Sequence, residues 1–277
     1  MLVKLLKYEM KASARTLVPL YIGTLVVALV CSIQMALFVA ENRNGFTMRV
    51  GSFQTDNMLT WILFLMFFAL CISITVLTVV TVIQRFNTSL IGDEGYLMFT
   101  LPVTHTQLLS CKLIGALLWS IIGGFVMFLS LLLISASVLV INVDAIYWND
   151  LWQQISYVIQ DVLPPMLVSG IYGFVSLVAT ILIVYLSIMI AQTEKLNNHR
   201  VAAAVVLFFL LNWLFGTVEG ILFSSTGAIG VPDGFHISDD FMWAYNMIMV
   251  CRIVFTTVKS VICFIATKWM MQNKLNL

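Results

Sequence analysis

Side chains able to do chemistry are scarce in this sequence, so they can be weighed one by one. The three histidines, His105, His199 and His236, lie far apart, and the five cysteines, Cys31, Cys71, Cys111, Cys251 and Cys263, include no C-x-x-C pair. A structural zinc site needs four such ligands at close spacing, and no such set is expected. The cysteines read as small buried hydrophobes. G-x-x-x-x-G-K-[ST], H-E-x-x-H and G-x-S-x-G are all missing, which excludes a P-loop, a zincin and a nucleophile elbow as sources of activity. The chain is expected to have no catalytic residue, no metal and no cofactor of its own.

What remains are charges inside apolar sequence: Glu219, Arg252 and Lys259. Arg252 and Lys259 are seven apart, hence close to one helical face. A cation at membrane depth costs at least about 2.5–3.5 kcal/mol, so such residues face a bundle interior or snorkel. Two readings follow. Either the three residues line a path or exit for an anionic or amphiphilic substrate, or Arg252 pairs with Glu219 while Lys259 snorkels. Gly216, Gly220, Gly227, Gly230 and Pro232 interrupt the apolar run around Glu219, and Phe241–Val250 is too short to span alone. That pattern fits a re-entrant pair lining a cavity, or an ordinary helix end.

The elements that must carry these residues follow from composition. Of 277 residues, 61% are hydrophobic and only 10% charged, against about 25% charged in a soluble domain. The excess apolar surface must face lipid. The net charge of +1 gives no reason to expect a nucleic-acid partner. Six stretches reach the roughly 20 apolar residues needed to cross a bilayer: about 17–40, 59–83, 112–141, 163–190, 201–224 and 242–267. None alternates like a barrel strand. The expected fold is an all-α integral membrane protein with six transmembrane helices, 1–277 forming a single transmembrane domain.

Orientation follows from the basic residues. Ten lie on one side (Lys4, Lys7, Lys11, Arg15, Arg85, Lys112, Lys195, Arg200, Lys268 and Lys274) and two, Arg43 and Arg49, on the other. Both termini are therefore expected in the cytoplasm. The first apolar run exceeds the roughly 7–15 residues of a signal-peptide core and is read as a retained span. Lys4, Lys7, Lys11 and Arg15 share a helical face across from Leu2, Leu5, Leu6 and Met10, so residues 1–16 are expected to lie in the cytoplasmic interface as an amphipathic helix. Residues 142–162 read as a second interfacial helix on the outer side, with Tyr147, Trp148, Trp152 and Tyr157 at head-group depth.

The loop 84–111 is far longer than the roughly 2–8 residues that join neighbouring helices, and too apolar for a tether. Gly92 and Gly95 bracket Asp93 and Glu94; Tyr96, Leu97, Phe99 and Leu101 follow, and Pro102 ends the segment. Thr104-His105-Thr106-Gln107 fits a capping box. An ordered, half-apolar cytoplasmic knob is expected to dock a partner.

The run Asp93-Glu94-Gly95-Tyr96-Leu97-Met98-Phe99-Thr100-Leu101-Pro102-Val103, continuing through Gln107-Leu108-Leu109-Ser110-Cys111-Lys112-Leu113, resembles the coupling-loop stretch of ABC-2 type ABC transporter permeases of Gram-positive bacteria. The resemblance implies an exporter subunit in a bacterial cytoplasmic membrane. It implies a coupling helix in this loop, seated on a separately encoded P-loop ATPase that binds ATP and magnesium. A second permease copy or paralogue and re-entrant helices between the last two spans are implied as well. On it, Arg85, Asp93, Glu94, Tyr96, Leu97 and Phe99 become ATPase-docking residues. The family's further basic residue after Arg85-Phe86-Asn87-Thr88 is missing here. A secondary transporter or channel, and a membrane scaffold or sensor, stay open as alternatives.

Overall fold

The computed structural model describes residues 2–41, 58–90, 104–141, 152–153, 156–157, 159–160, 163–192, 200–223 and 239–273. Six long helices account for nearly all of them: α1 (Leu2–Glu41), α2 (Met58–Leu90), α3 (His105–Ile141), α4 (Leu163–Ala191), α5 (Arg200–Phe223) and α6 (Asp239–Asn273). Each contains a stretch long and apolar enough to cross a membrane. Large apolar side chains such as Leu65, Phe68, Phe125, Trp213 and Ile221 stand exposed around them, which only a lipid solvent makes stable. The chain is a multi-pass membrane protein.

Serine and threonine within these helices are satisfied locally. Thr78, Thr81, Ser130, Thr256, Ser260 and Thr267 each donate to the carbonyl four residues back, so their hydroxyls need no water.

The contacts divide the chain into two compact units, Met1–Arg85 with Ile114–Leu151, and Phe86–Leu113 with Trp152–Leu277. In the first, α1 offers Leu17 and Tyr21 to Ile74 of α2 and to Trp119 and Val126 of α3. Further along, Ala28 and Cys31 meet Phe67 and Ile134. The Tyr21 hydroxyl donates to the Trp119 carbonyl at 3.2 Å. Buried positions on α1 recur as Ser13, Leu17, Tyr21, Thr24, Ala28 and Cys31, the three-and-four spacing of a knobs-into-holes seam.

The N-terminal basic segment and the first span lie on one unbroken helix, α1, with Pro19 inside it. At 40 residues it is about 60 Å long, twice the hydrocarbon thickness. Proline removes one backbone bond without ending a helix whose neighbours hold it on either side. Met10 and Ala14 pack against the cluster formed by Leu17, Tyr21, Ile74, Trp119 and Val126. Lys7, Lys11 and Arg15 are exposed, as one shared face requires.

In the second unit α4 packs along both α5 and α6, whose backbones approach each other at only a few points. From Ile181 to Met189 every residue of α4 is buried. By contrast, none of the described side chains of α5 is buried. Helix α6 is continuous from Asp239, so Phe241–Val250 belongs to its first turns. Gly216 and Gly220 sit within continuous α5. Residues 224–238, where a turn-back would lie, fall outside the described residues. So does most of the expected outer interfacial helix; Trp152 and Tyr157 are described and exposed.

Candidate functional site

Two places in the second unit gather the residues of interest. The first is the base of the loop between α2 and α3. Helix α3 begins at His105 because Thr104 caps it. The Gln107 amide donates to Thr104 Oγ1 at 3.4 Å, and the Thr104 amide donates to Gln107 Oε1 at 3.2 Å. This reciprocal pair is the capping box expected from the sequence.

Above the cap, Leu108, Leu109, Cys111 and Lys112 are all buried. On the other root, Phe86 at the end of α2 is fully buried. One side chain of α4 holds both roots. The Tyr185 ring stacks on Phe86, centroids 4.1 Å apart and planes 12° from parallel, while its hydroxyl donates to the Lys112 carbonyl at 3.2 Å. Tyr185 is itself 1% exposed. Stacking at this distance is worth about 0.5–1.5 kcal/mol beyond burial, and the hydrogen bond about 1 kcal/mol.

Arg85, the last residue of the first unit's N-terminal segment, is half-buried. The expected docking residues Asp93, Glu94, Tyr96, Leu97 and Phe99 lie outside the described residues. Tyr185 was not singled out from sequence. Its one signal is a phenol within the aliphatic run Thr180-Ile181-Leu182-Ile183-Val184-Tyr185-Leu186, since a buried phenol needs an acceptor.

The second place is a polar cluster within the apolar length of α4, α5 and α6. Glu219 accepts from the Tyr172 hydroxyl at 3.0 Å. The Arg252 guanidinium lies 5.6 Å from the Phe223 ring centroid, and Lys259 Nζ lies 5.7 Å from that of Phe215. Phe223 also meets Phe255 edge-on at 6.3 Å. Phe215, Glu219 and Phe223 follow at four-residue steps and share a face of α5. Arg252 and Lys259 answer them in reverse order on α6, as antiparallel neighbours must. The Tyr172 phenol is within electrostatic reach of both Glu219 and Arg252.

The structure thus brings Glu219, Arg252 and Lys259 into one ladder, though not as a salt bridge. Among the described residues no ion pair joins Glu219 to Arg252; the carboxylate turns to Tyr172 and the cations to aromatic faces. Arg252 Nε is buried with no acceptor. Lys259 stands at the middle of the apolar stretch Tyr245–Gln272, where a cation costs about 2.5–3.5 kcal/mol and a ring face returns about 0.5–2 kcal/mol. The arrangement leaves positive charge undercompensated at depth, which attracts anions. Sequence reasoning missed Tyr172, Phe215 and Phe223, because their partners lie on other helices.

Among the described residues no group of His, Cys, Asp and Glu is placed to hold a metal ion. Six apolar helices, a tied-down loop base and a half-buried polar ladder define a multi-pass membrane protein with a polar feature within its apolar helices. No family model, curated protein or solved structure matches the chain.

Proposed function

We propose that this chain is the transmembrane subunit of an ATP-driven exporter, an ABC-2 type permease of a bacterial cytoplasmic membrane. The observation that carries the reading is the motif Asp93–Pro102 set between two roots that Tyr185 ties to a buried helix. Roots fixed in this way pass on force applied to the loop between them. A separately encoded P-loop ATPase docks on Arg85, Asp93, Glu94, Tyr96, Leu97 and Phe99, and that partner holds ATP and magnesium. Closure of the ATPases on nucleotide displaces the loop and switches the bundle between inward- and outward-open forms. Both termini face the cytoplasm, a second copy or a paralogue completes the pore, and Glu219, Arg252 and Lys259 border the substrate path. This chain's share is coupling and passage, with no bond chemistry.

Affinity capture of the tagged chain from its native host in mild detergent tests the reading. The wild type brings down a P-loop ATPase, and a Glu94→Lys, Phe99→Asp variant loses it. Absence of any ATPase with the wild type overturns the reading. A gradient-driven transporter then takes its place, favoured by the mid-span cation Lys259 and by the Tyr172–Glu219 hydrogen bond.

A further inference from the structure

The polar ladder has a sign and an unsatisfied donor. Arg252 and Lys259 against Glu219 leave a formal charge of +1 inside apolar sequence. The carboxylate is already engaged by Tyr172. Each cation faces a ring instead, Arg252 over Phe223 and Lys259 over Phe215. An aromatic face attracts a cation but offers no lone pair to its N–H donors. Arg252 Nε, buried and without an acceptor, is the direct mark of that shortage.

Geometry says where an acceptor would come from. Helices α5 and α6 both lie along α4, yet their own backbones meet at only a few points. Side chains bridge the space between them, and α5 presents exposed apolar residues along its length. Arg252 is six to seven residues outward from the centre of Tyr245–Gln272, about 10 Å along the helix. The hydrocarbon half-thickness is about 15 Å, so a guanidinium at this level reaches the depth of lipid head groups. Lys259 is too deep for a resting head group and acts as a second positive charge behind the first.

We propose that α5 and α6 hold a binding site for a monoanionic head group carried on an apolar body, an acidic amphiphile. Arg252 donates to its phosphate-type oxygen, Lys259 sets the attractive field, and the chain of the ligand lies along apolar α5. Glu219, pinned by Tyr172, works against binding and limits the charge of ligand accepted to a single negative. The inference gives a chemical class to the path proposed above and rests on that reading only for the ligand's onward movement.

The test needs no ATPase. The purified wild-type chain is equilibrated with equal amounts of dioleoyl phosphatidylglycerol and dioleoyl phosphatidylcholine, and native mass spectrometry reads the lipid retained. Phosphatidylglycerol is expected to be favoured about tenfold, the effect of one charge-assisted hydrogen bond. Arg252→Gln abolishes the preference, Lys259→Gln reduces it, and Glu219→Gln raises it. Equal retention of the two lipids by the wild type overturns the proposal, and so does a preference that survives Arg252→Gln.

A second arm adds single-chain lysophosphatidylglycerol. If it displaces the diacyl lipid, the site accepts exchangeable amphiphiles; if it does not, the occupant is a resident bilayer lipid. Both results keep the anionic site. Loss of the lipid preference would leave ATPase capture intact, and loss of ATPase capture would leave the lipid preference intact, so the two ideas fail separately.

Discussion

Tyr185 should control how firmly the base of the α2–α3 loop is held, and two substitutions separate its contributions. Tyr185→Phe keeps the ring on Phe86 and removes only the 3.2 Å hydrogen bond to the Lys112 carbonyl. That bond is worth about 1 kcal/mol, and the carbonyl keeps its place in the helix ladder. Tyr185→Ala removes the stack as well and leaves a void. Aromatic-to-alanine changes cost about 3–5 kcal/mol in water-soluble cores. In a membrane bundle the transfer component shrinks, because the unfolded reference is also apolar, so roughly 3 kcal/mol is expected. Cys111 reports the result, since it is fully buried one residue before Lys112. In a variant retaining Cys111 as its sole cysteine, N-ethylmaleimide reacts only on local opening, and the rate follows the open population when reclosing is fast. At about 1.4 kcal/mol per factor of ten, labelling should rise about fivefold for phenylalanine and about a hundredfold for alanine. A parallel variant retaining Cys31, buried in the other unit, should not respond. Unchanged Cys111 labelling in the alanine variant, or equal acceleration at Cys31, refutes the assignment of Tyr185 as a local clamp.

Thr104→Ala removes the cap of α3 and should cost about 1 kcal/mol, a fall of about 2–4 °C in the melting midpoint in detergent, with Thr104→Ser restoring it. A midpoint unchanged in the alanine variant would mean the capping box contributes nothing. At Gly123 an added Cβ would stand 3.1 Å from Tyr21 Oη and 3.6 Å from Ile74 Cγ2, whereas Gly124 has open space around it. Gly124→Ala should hold or raise the midpoint through the roughly 0.5–1 kcal/mol gained in helix propensity. Gly123→Leu should lose about 1–3 kcal/mol by overpacking, and equal effects at the two positions would contradict the close packing of α1 on α3.

The spans were legible because a bilayer imposes length and apolarity together, and both are written in every one of the six runs. Helix ends were less so. The second span was read to residue 83 and the third from 112, while α2 continues to Leu90 and α3 starts at His105. Hydropathy marks the edge of the hydrocarbon, and Gln84, Arg85 and Asn87 continue the helix beyond it. Thr104-x-x-Gln107 was readable because a cap is a local pattern three residues long. The basic face of Lys4, Lys7, Lys11 and Arg15 marked residues 1–16 as an element, and a local pattern of this kind does not say that the backbone runs on unbroken into the first span, as α1 does. Tyr185 with Lys112, and Tyr172 with Glu219, are separated by 73 and 47 residues. No local pattern carries such pairs. Charge alone suggested Arg252 with Glu219; tertiary placement gave each a different neighbour.

Helix α4 gives these pairs a common meaning. Tyr185 holds the loop base and Tyr172 holds Glu219, thirteen residues earlier on the same helix, about 20 Å along its axis. The stretch Ile181–Met189 is buried on every side, so it cannot bend freely and must move with its neighbours or slide against them. Under the proposed docking, a push on the loop reaches Tyr185 first and is carried down α4 as a rigid shift. The Tyr172–Glu219 hydrogen bond is 3.0 Å long and is lost when that distance passes about 3.5 Å. An axial slide acts across the bond, so about 1.8 Å is needed to stretch it from 3.0 Å to that limit, towards the upper end of the 1–2 Å over which packed helices shift in switching proteins. Glu219 would then be free to meet Arg252, and the carboxylate would compete with an anionic ligand for the same guanidinium. If the proposed docking and ligand hold, the Tyr172–Glu219 hydrogen bond at the far end of α4 is where movement of the loop would become release at the ladder, with no contact between partner and ligand.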